Sequence, residues 1–562
     1  MSSFLCFFLG LCLLASSSAS EDDTVVVTSS GPIKGKHLPA GSGSVTAYLG
    51  IPYAEPPVGK LRFQKPRPHQ PWTHVLEATN YGNPCHQRSS FRYAFSNIWV
   101  ANTSNSEDCL FLNIWAPHPR PSMPVPILVW IHGGGYIAGA GSLDLYNGAL
   151  LAATENVIVA SINYRLGTLG FLFFPPDAPG NMGLWDQHLA LKWLNENAAA
   201  FGGNSAQLTL LGHSAGAASV GFHLLSPTSQ PLFARAVVQS GAPNAPWAWK
   251  DPEVVKSLAS SLGDLWDCPK KNHSSVVSCL QDTDLQGDSF AYRSPLFLPT
   301  SDRDFLPDEP KKLLQTGGMR AKPLLIGVTR DDGSLFLVSG VPSALKNEAV
   351  MTWEQLLEGM VYSLRKNVQG NVVTALGLKY IENSHGTDRY RQALSHFCRD
   401  YFFLCPLAEV AENMAAAGGP VYVYSFNHHI SGSVWPEWMG AAHGAELPYL
   451  FGTLSALPGI NQTRTEADAA LSRRVMRYWA EFARSGNPTG SASDGEQWPL
   501  YNVTERNFFH ISREAPQIMK ISPAQHCSFL GTHLFNTTRT NLSQGYPVSS
   551  DQANGTKNGT GY

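Results

Sequence analysis

From Leu208 to Leu225 the chain reads LTLLGHSAGAASVGFHLL: a short apolar run, Gly212-His213-Ser214-Ala215-Gly216, then small and apolar residues at helical spacing. A strand that turns this sharply into a helix forces the serine into a strained backbone conformation. Any side chain on the flanking glycines would collide with the adjacent strand or helix. The Ser214 hydroxyl is thereby lifted clear of a sheet, facing the free amides and positive dipole end of the following helix. In a chain with 50 glycines the pentapeptide also arises by chance, so the strand before it and the helix after it carry the inference.

The α/β-hydrolase fold uses such an elbow and orders its parts along the chain as oxyanion loop, serine, acid and histidine. All four are present in that order. The strand-like run Val125 to Ile131 (VPILVWI) leads into His132-Gly133-Gly134-Gly135, whose missing Cβ atoms let backbone amides approach a developing oxyanion. Gly134, Gly135 and Ala215 are the expected donors. Downstream, Leu324 to Val328 ends in Thr329-Arg330-Asp331-Asp332-Gly333, and either carboxylate could orient a histidine. His443 stands in the glycine-rich stretch Trp438-Met439-Gly440-Ala441-Ala442-His443-Gly444, where no helical or strand periodicity accounts for it.

Longer motifs join these: Gly50 to Gly59 (GIPYAEPPVG), Glu107 to Trp115 (EDCLFLNIW), Asp144 to Gly148 (DLYNG), Ala178 to Gln187 (APGNMGLWDQ), Trp435 to Gly440 (WPEWMG) and Leu471 to Ala483 (LSRRVMRYWAEFA). With them the chain resembles the type-B carboxylesterases of the cholinesterase group, from about Val25 to Leu534. The resemblance implies Ser214 as nucleophile, His443 as base and Asp332, which directly precedes the loop glycine, as third member, with Asp331 its neighbour. It also implies disulfides Cys85–Cys109, Cys268–Cys279 and Cys405–Cys527, leaving Cys398 free or buried.

Several positions depart from that group. Cholinesterases usually carry glutamate as the acid; Asp332 is one methylene shorter, so its loop must lie about 1 Å nearer the histidine or the hydrogen bond will be long. His213 stands before the nucleophile where cholinesterases have glutamate, removing an anion that would face a cationic substrate. Trp99 matches the tryptophan on which those enzymes stack a quaternary ammonium, and Trp247 and Phe336 match walls on the acyl side. Leu335 and Ser339 replace expected aromatics, Ile137 and Arg88 alter the entrance, and Arg293 and Pro295 align with the phenylalanines of acetyl-selective members.

Net charge of −3 gives no reason to expect nucleic acid or an anionic membrane as partner. Residues 1–20, with the apolar run Phe4 to Ala15, read as a signal peptide cleaved near Ala19 or Ser20. One catalytic domain is expected over 21–535, followed by a polar, disordered, glycosylated tail over 536–562. Sequons at Asn102, Asn272, Asn461, Asn502, Asn536, Asn541, Asn554 and Asn558 fit a secreted, extracellular glycoprotein. No membrane anchor is read, and no cysteine lies in the tail, so a monomer or a non-covalent homodimer is expected.

Strand-like runs at 125–131, 157–162, 208–211, 236–240, 324–328 and 421–426, alternating with helical stretches such as Trp185 to Ala199, predict an α/β fold with a mostly parallel sheet flanked by helices. The chemistry expected on this frame is hydrolysis of a small-molecule carboxylic ester through an acyl-serine, with no cofactor or metal. A true cholinesterase is the alternative within enzymes, with a lipase also weighed; a non-catalytic adhesion protein of the neuroligin type is the alternative from another class.

Overall fold

Every side chain of Val125–Ile131 is buried, which is possible for a strand only when both faces of its sheet are covered. The computed structural model describes residues 22–535 other than 89, 92, 102, 270, 284–295, 366–367, 431–434, 457–464, 491–496 and 521–523. The expected leader and tail lie outside the described residues.

The central sheet has eleven strands: β1 (Lys36–Ala40), β2 (Gly43–Pro52), β3 (Phe111–His118), β4 (Val125–Ile131), β5 (Ile158–Ile162), β6 (Gly203–His213), β7 (Arg235–Gln239), β8 (Leu324–Thr329), β9 (Val421–Phe426), β10 (Asn507–Ile511) and β11 (Gln517–Lys520). Their spatial order is β1-β2-β3-β5-β4-β6-β7-β8-β9-β10-β11. Pairings from β5 through β10 are parallel, and the strands outside that block pair antiparallel.

Side chains alternate between two cores, as the pleat requires. Ile127, Val129 and Ile131 of β4 join one cluster with Ala217, Val220 and Phe222 of helix α2 (Ala215–Leu225). Leu128 and Trp130 join the other, with Val475 and Trp479 of helix α4 (Glu466–Ser485). Helix α1 (Met182–Asn197) is the crossover before β6, and α3 (Cys405–Ala416) packs its Leu407 and Val410 into the first core.

The two largest departures from the expected boundaries are at the starts of β6 and α1, and other ends differ by one or two residues. β6 begins at Gly203 rather than Leu208, because Asn204, Ser205, Ala206 and Gln207, mostly polar, extend it across a register shift that no apolar alternation signals. α1 begins at Met182, since Asn181 takes a left-handed conformation (φ 56°) and turns Met182, Gly183 and Leu184 into the core as a first helical turn. Disulfides join Cys85 to Cys109, Cys268 to Cys279 and Cys405 to Cys527, and Cys398 is free and buried. No helix among the described residues is long and apolar enough to cross a membrane.

Candidate active site

The sequence-predicted catalytic elements follow the carboxyl ends of four of five neighbouring parallel strands, where open α/β sheets gather their ligand-binding loops. The glycine loop follows β4, Ser214 follows β6, Asp332 follows β8 and the loop with His443 follows β9. Ser240, expected from the sequence only as the end of the strand-like run 236–240, follows β7.

Ser214 has φ 56° and ψ −121°, the strained conformation expected at the elbow, and is 8% exposed. Its amide donates to the Gln239 carbonyl at 2.9 Å, which fastens the turn to the next strand. The two glycines are required by close approach. A Cβ on Gly212 would lie 2.3 Å from the Gly216 backbone, and one on Gly216 would lie 2.0 Å from the Ile131 carbonyl oxygen. Ala215 is the first residue of α2, so its amide is among the donors a helix leaves free.

Gly134 and Gly135 have φ of 109° and 62°. The Gly134 carbonyl accepts from the amides of Ile137 and Ala138, both at 3.1 Å, which turns it back into its own loop. Gly133 packs against the elbow, where a Cβ would meet the His213 carbonyl at 2.7 Å and Ser214 Cβ at 3.0 Å. The glycine loop and the serine turn are therefore in contact.

His443 Nδ1 and Asp332 Oδ1 are 2.6 Å apart, and both residues are buried. Of the two routes open to the shorter acid, the structure has the first: the loop lies close and the bond is short. Asp332 Oδ2 accepts from the Ser240 hydroxyl at 2.6 Å and from the Thr329 amide at 3.1 Å. Asp331 faces elsewhere; its Oδ2 accepts from the Ala441 amide at 2.9 Å and pairs with Arg330. Burial disfavours charge on both members of the buried pair. It holds His443 below the ordinary imidazole range and pushes Asp332 up, against the hydrogen bonds from Ser240 and Thr329 that hold the carboxyl down.

The His213 ring lies 4.3 Å from that of His443 and 5.6 Å from Trp99, stacked at 21° to it. It is 1% exposed, and neither ring nitrogen has a hydrogen-bond partner among the described residues. Burial first, and the neighbouring His443 second, hold its pKa well below the ordinary value, which favours the uncharged ring. Trp99 is itself 6% exposed, and its far ring edge lies against Gly444, where a Cβ would meet it at 2.5 Å.

The rings of Phe336 and Phe403 also pack on His443, at 5.1 and 4.8 Å. Trp247 is 6.0 Å from Phe403 and donates to the Phe402 carbonyl at 3.0 Å. Phe403 was missed because its segment carries no motif; only the fold brings it to the histidine. Leu335 is half-buried and Ser339 exposed. Arg293 and Pro295 lie outside the described residues. Of the sequons, Asn272 and Asn502 are exposed, and Asn102, Asn461, Asn536, Asn541, Asn554 and Asn558 lie outside the described residues.

A sequence profile of the carboxylesterase family matches residues 22–530. The chain is 42% identical over 521 residues to the acetylcholinesterase of Bungarus fasciatus, covering 90% of this chain and 85% of the relative. It is 41% identical over 549 residues to the cholinesterase of Mus musculus, covering 94% and 89%. The chain belongs to the carboxylesterase family and has its α/β-hydrolase fold. It is accordingly a hydrolase of the carboxylic-ester class.

Proposed function

We propose that the chain is a secreted serine esterase that cleaves uncharged carboxylic esters through an acyl intermediate on Ser214. The observation that carries this reading is the buried Asp332–His443 hydrogen bond, together with a strained serine elbow and a glycine loop with positive φ at Gly134 and Gly135. His443, held as the Nδ1–H tautomer by Asp332, takes the Ser214 proton on Nε2. The serine oxygen attacks the ester carbonyl while the amides of Gly134, Gly135 and Ala215 receive the oxyanion. The alcohol leaves with the proton from His443, and water then clears the acyl group by the same route in reverse.

Preference for uncharged leaving groups rests on His213. A carboxylate about 5 Å from a quaternary ammonium is worth on the order of 3 kcal/mol at an effective dielectric near 20, before desolvation, and a neutral imidazole supplies none of it. Trp99 has its ring face toward His213, so less of it is open to a cation. The second reading, a choline esterase, draws on Trp99 and on the names of the two relatives.

The test compares kcat/KM for acetylthiocholine, butyrylthiocholine and a nitrophenyl ester of equal acyl length. A higher value for the neutral ester is expected; preference for the choline esters rejects the uncharged-substrate reading in favour of the second. His213→Glu is expected to raise the choline-to-neutral ratio about tenfold, the Coulomb gain less the cost of burying the carboxylate. An unchanged ratio would reject the electrostatic account.

His443 must be uncharged to accept a proton, and burial lowers its pKa. Lowering the pKa of a required base extends activity toward acid. The acid limb of kcat/KM is therefore expected to have its midpoint below the ordinary imidazole value of about 6.5, and a midpoint above it would contradict this environment for the base.

Secretion and glycosylation are inferred from the leader-like residues 1–20 and the sequons, and a monomer or non-covalent dimer from the absence of cysteine in the tail. The serine, histidine and carboxylate together set the chain apart from the non-catalytic adhesion reading.

A further inference from the structure

At the sheet edge remote from β10 and β11, His37 on β1 and His118 at the end of β3 project toward each other across β2. The register explains their meeting: β2 pairs Thr46 with His37 and Ser44 with His118, so the two histidines are diagonal neighbours, and their ring centroids are 4.0 Å apart. Asp23, just before the strand Val25–Thr28, faces both imidazoles. Its Oδ1 is 3.0 Å from His37 Nε2 and its Oδ2 is 3.9 Å from His118 Nδ1. One donor atom from each of the three residues lies within 4.8 Å of the others.

We propose that Asp23, His37 and His118 form a binding site for one divalent cation of the zinc class, with a coordination position left to water. Bonds of about 2.0–2.1 Å in a tetrahedron set ligand atoms about 3.3 Å apart; here Asp23 Oδ1 stands 3.0 Å from His37 Nε2 and Asp23 Oδ2 stands 3.9 Å from His118 Nδ1, and one donor atom from each residue lies within 4.8 Å of the others, so small rotations of exposed side chains close the set. Two imidazoles and one carboxylate suit zinc or its later transition-metal neighbours rather than magnesium or calcium, which favour all-oxygen shells.

An ion pair alone is a poorer account of the cluster. Asp23 can accept a hydrogen bond from His37, but His118 stands beyond hydrogen-bond reach of the carboxylate. Charging both rings to draw them in would set two imidazolium ions 4.0 Å apart. A cation between them uses both rings in their neutral form.

Thr46 Oγ1 lies 3.2 Å from His37 Nδ1. As an acceptor it fixes the Nδ1–H tautomer and turns the Nε2 lone pair toward Asp23, the outer-shell arrangement that metal-binding histidines use. The histidines sit on the two strands that flank β2 and Asp23 precedes the strand Val25–Thr28, so a bound cation would tie the amino-terminal segment to the sheet edge.

The full chain, stripped with EDTA, is titrated with zinc chloride by calorimetry, with magnesium chloride as control. One equivalent of zinc is expected to bind, magnesium is not, and His37→Ala, His118→Ala and Asp23→Asn each weaken zinc affinity at least tenfold. Asp23 and His37 are exposed, so the metal-free melting temperature and the turnover of a neutral ester should not change. Zinc affinity equal in the parent and the His37→Ala/His118→Ala variant would overturn the site, as would failure of the parent to bind zinc. If the histidine variants fail to fold, Asp23→Asn decides alone, because it preserves shape and removes only the anionic ligand.

Discussion

Ser214→Ala is expected to lower kcat for ester hydrolysis by on the order of 10⁶-fold while the melting temperature stays at that of the parent chain. The size follows from losing the atom to which the acyl group attaches, since histidine and carboxylate have no second nucleophile to activate. The unchanged stability follows from the backbone. What holds the elbow is the Ser214 amide on the Gln239 carbonyl and the contact between Gly212 and Gly216, neither of which uses the hydroxyl. Alanine inherits the same φ of 56°, and with it a strain that serine already bears. The measurement is a burst experiment with a nitrophenyl ester on parent and variant. Turnover within tenfold of the parent would remove Ser214 from the reaction.

The parts of this site that the sequence displays are those whose backbone needs are extreme. Gly212 and Gly216 are legible because no other residue fits within 2.3 Å of a neighbouring main chain, and the glycine loop is legible because positive φ recurs at Gly134 and Gly135. The central strands are legible where both faces are buried, as in β4 and β9, and their ends blur where a mostly polar stretch carries the strand across a register shift, as in β6.

Ser240 was invisible for the opposite reason. A serine after a strand is common, and its bond to Asp332 exists only because β7 lies beside β8 in the sheet. The same holds for Glu446, buried, hydrogen-bonded by Gln239 and pushed up to about 8 by burial, with the charge of Asp332 second. His37 and His118 are lone histidines in sequence, far apart in the chain, and become neighbours only through the register of three strands. Local pattern reports what a residue does to its own backbone; what it does to a distant side chain needs the topology.

Asp332→Asn tests the most topology-dependent member of the site, and its expected effect is a loss of about 10⁴-fold in kcat with the fold retained. Asp332 accepts three hydrogen bonds: from His443 Nδ1–H on one oxygen, and from Ser240 and Thr329 on the other. An asparagine has only one oxygen to offer. If that oxygen keeps Ser240 and Thr329, the side-chain NH₂ faces His443 and imposes the tautomer protonated on Nε2, a donor where the reaction needs an acceptor. If the amide turns over, the oxygen suits His443, but the NH₂ then meets the Thr329 amide, a donor against a donor in a buried site. Thr329 is fixed in β8 and cannot move aside, whereas the imidazole can change tautomer at little cost, so the first orientation is favoured. Stability should hold, because burial already works against the charge of Asp332 and the substitution removes that charge. Steady-state kinetics together with a thermal melt decide the point: a loss of turnover without a loss of melting temperature is expected, and near-parental turnover would mean that His443 is oriented by something other than this carboxylate.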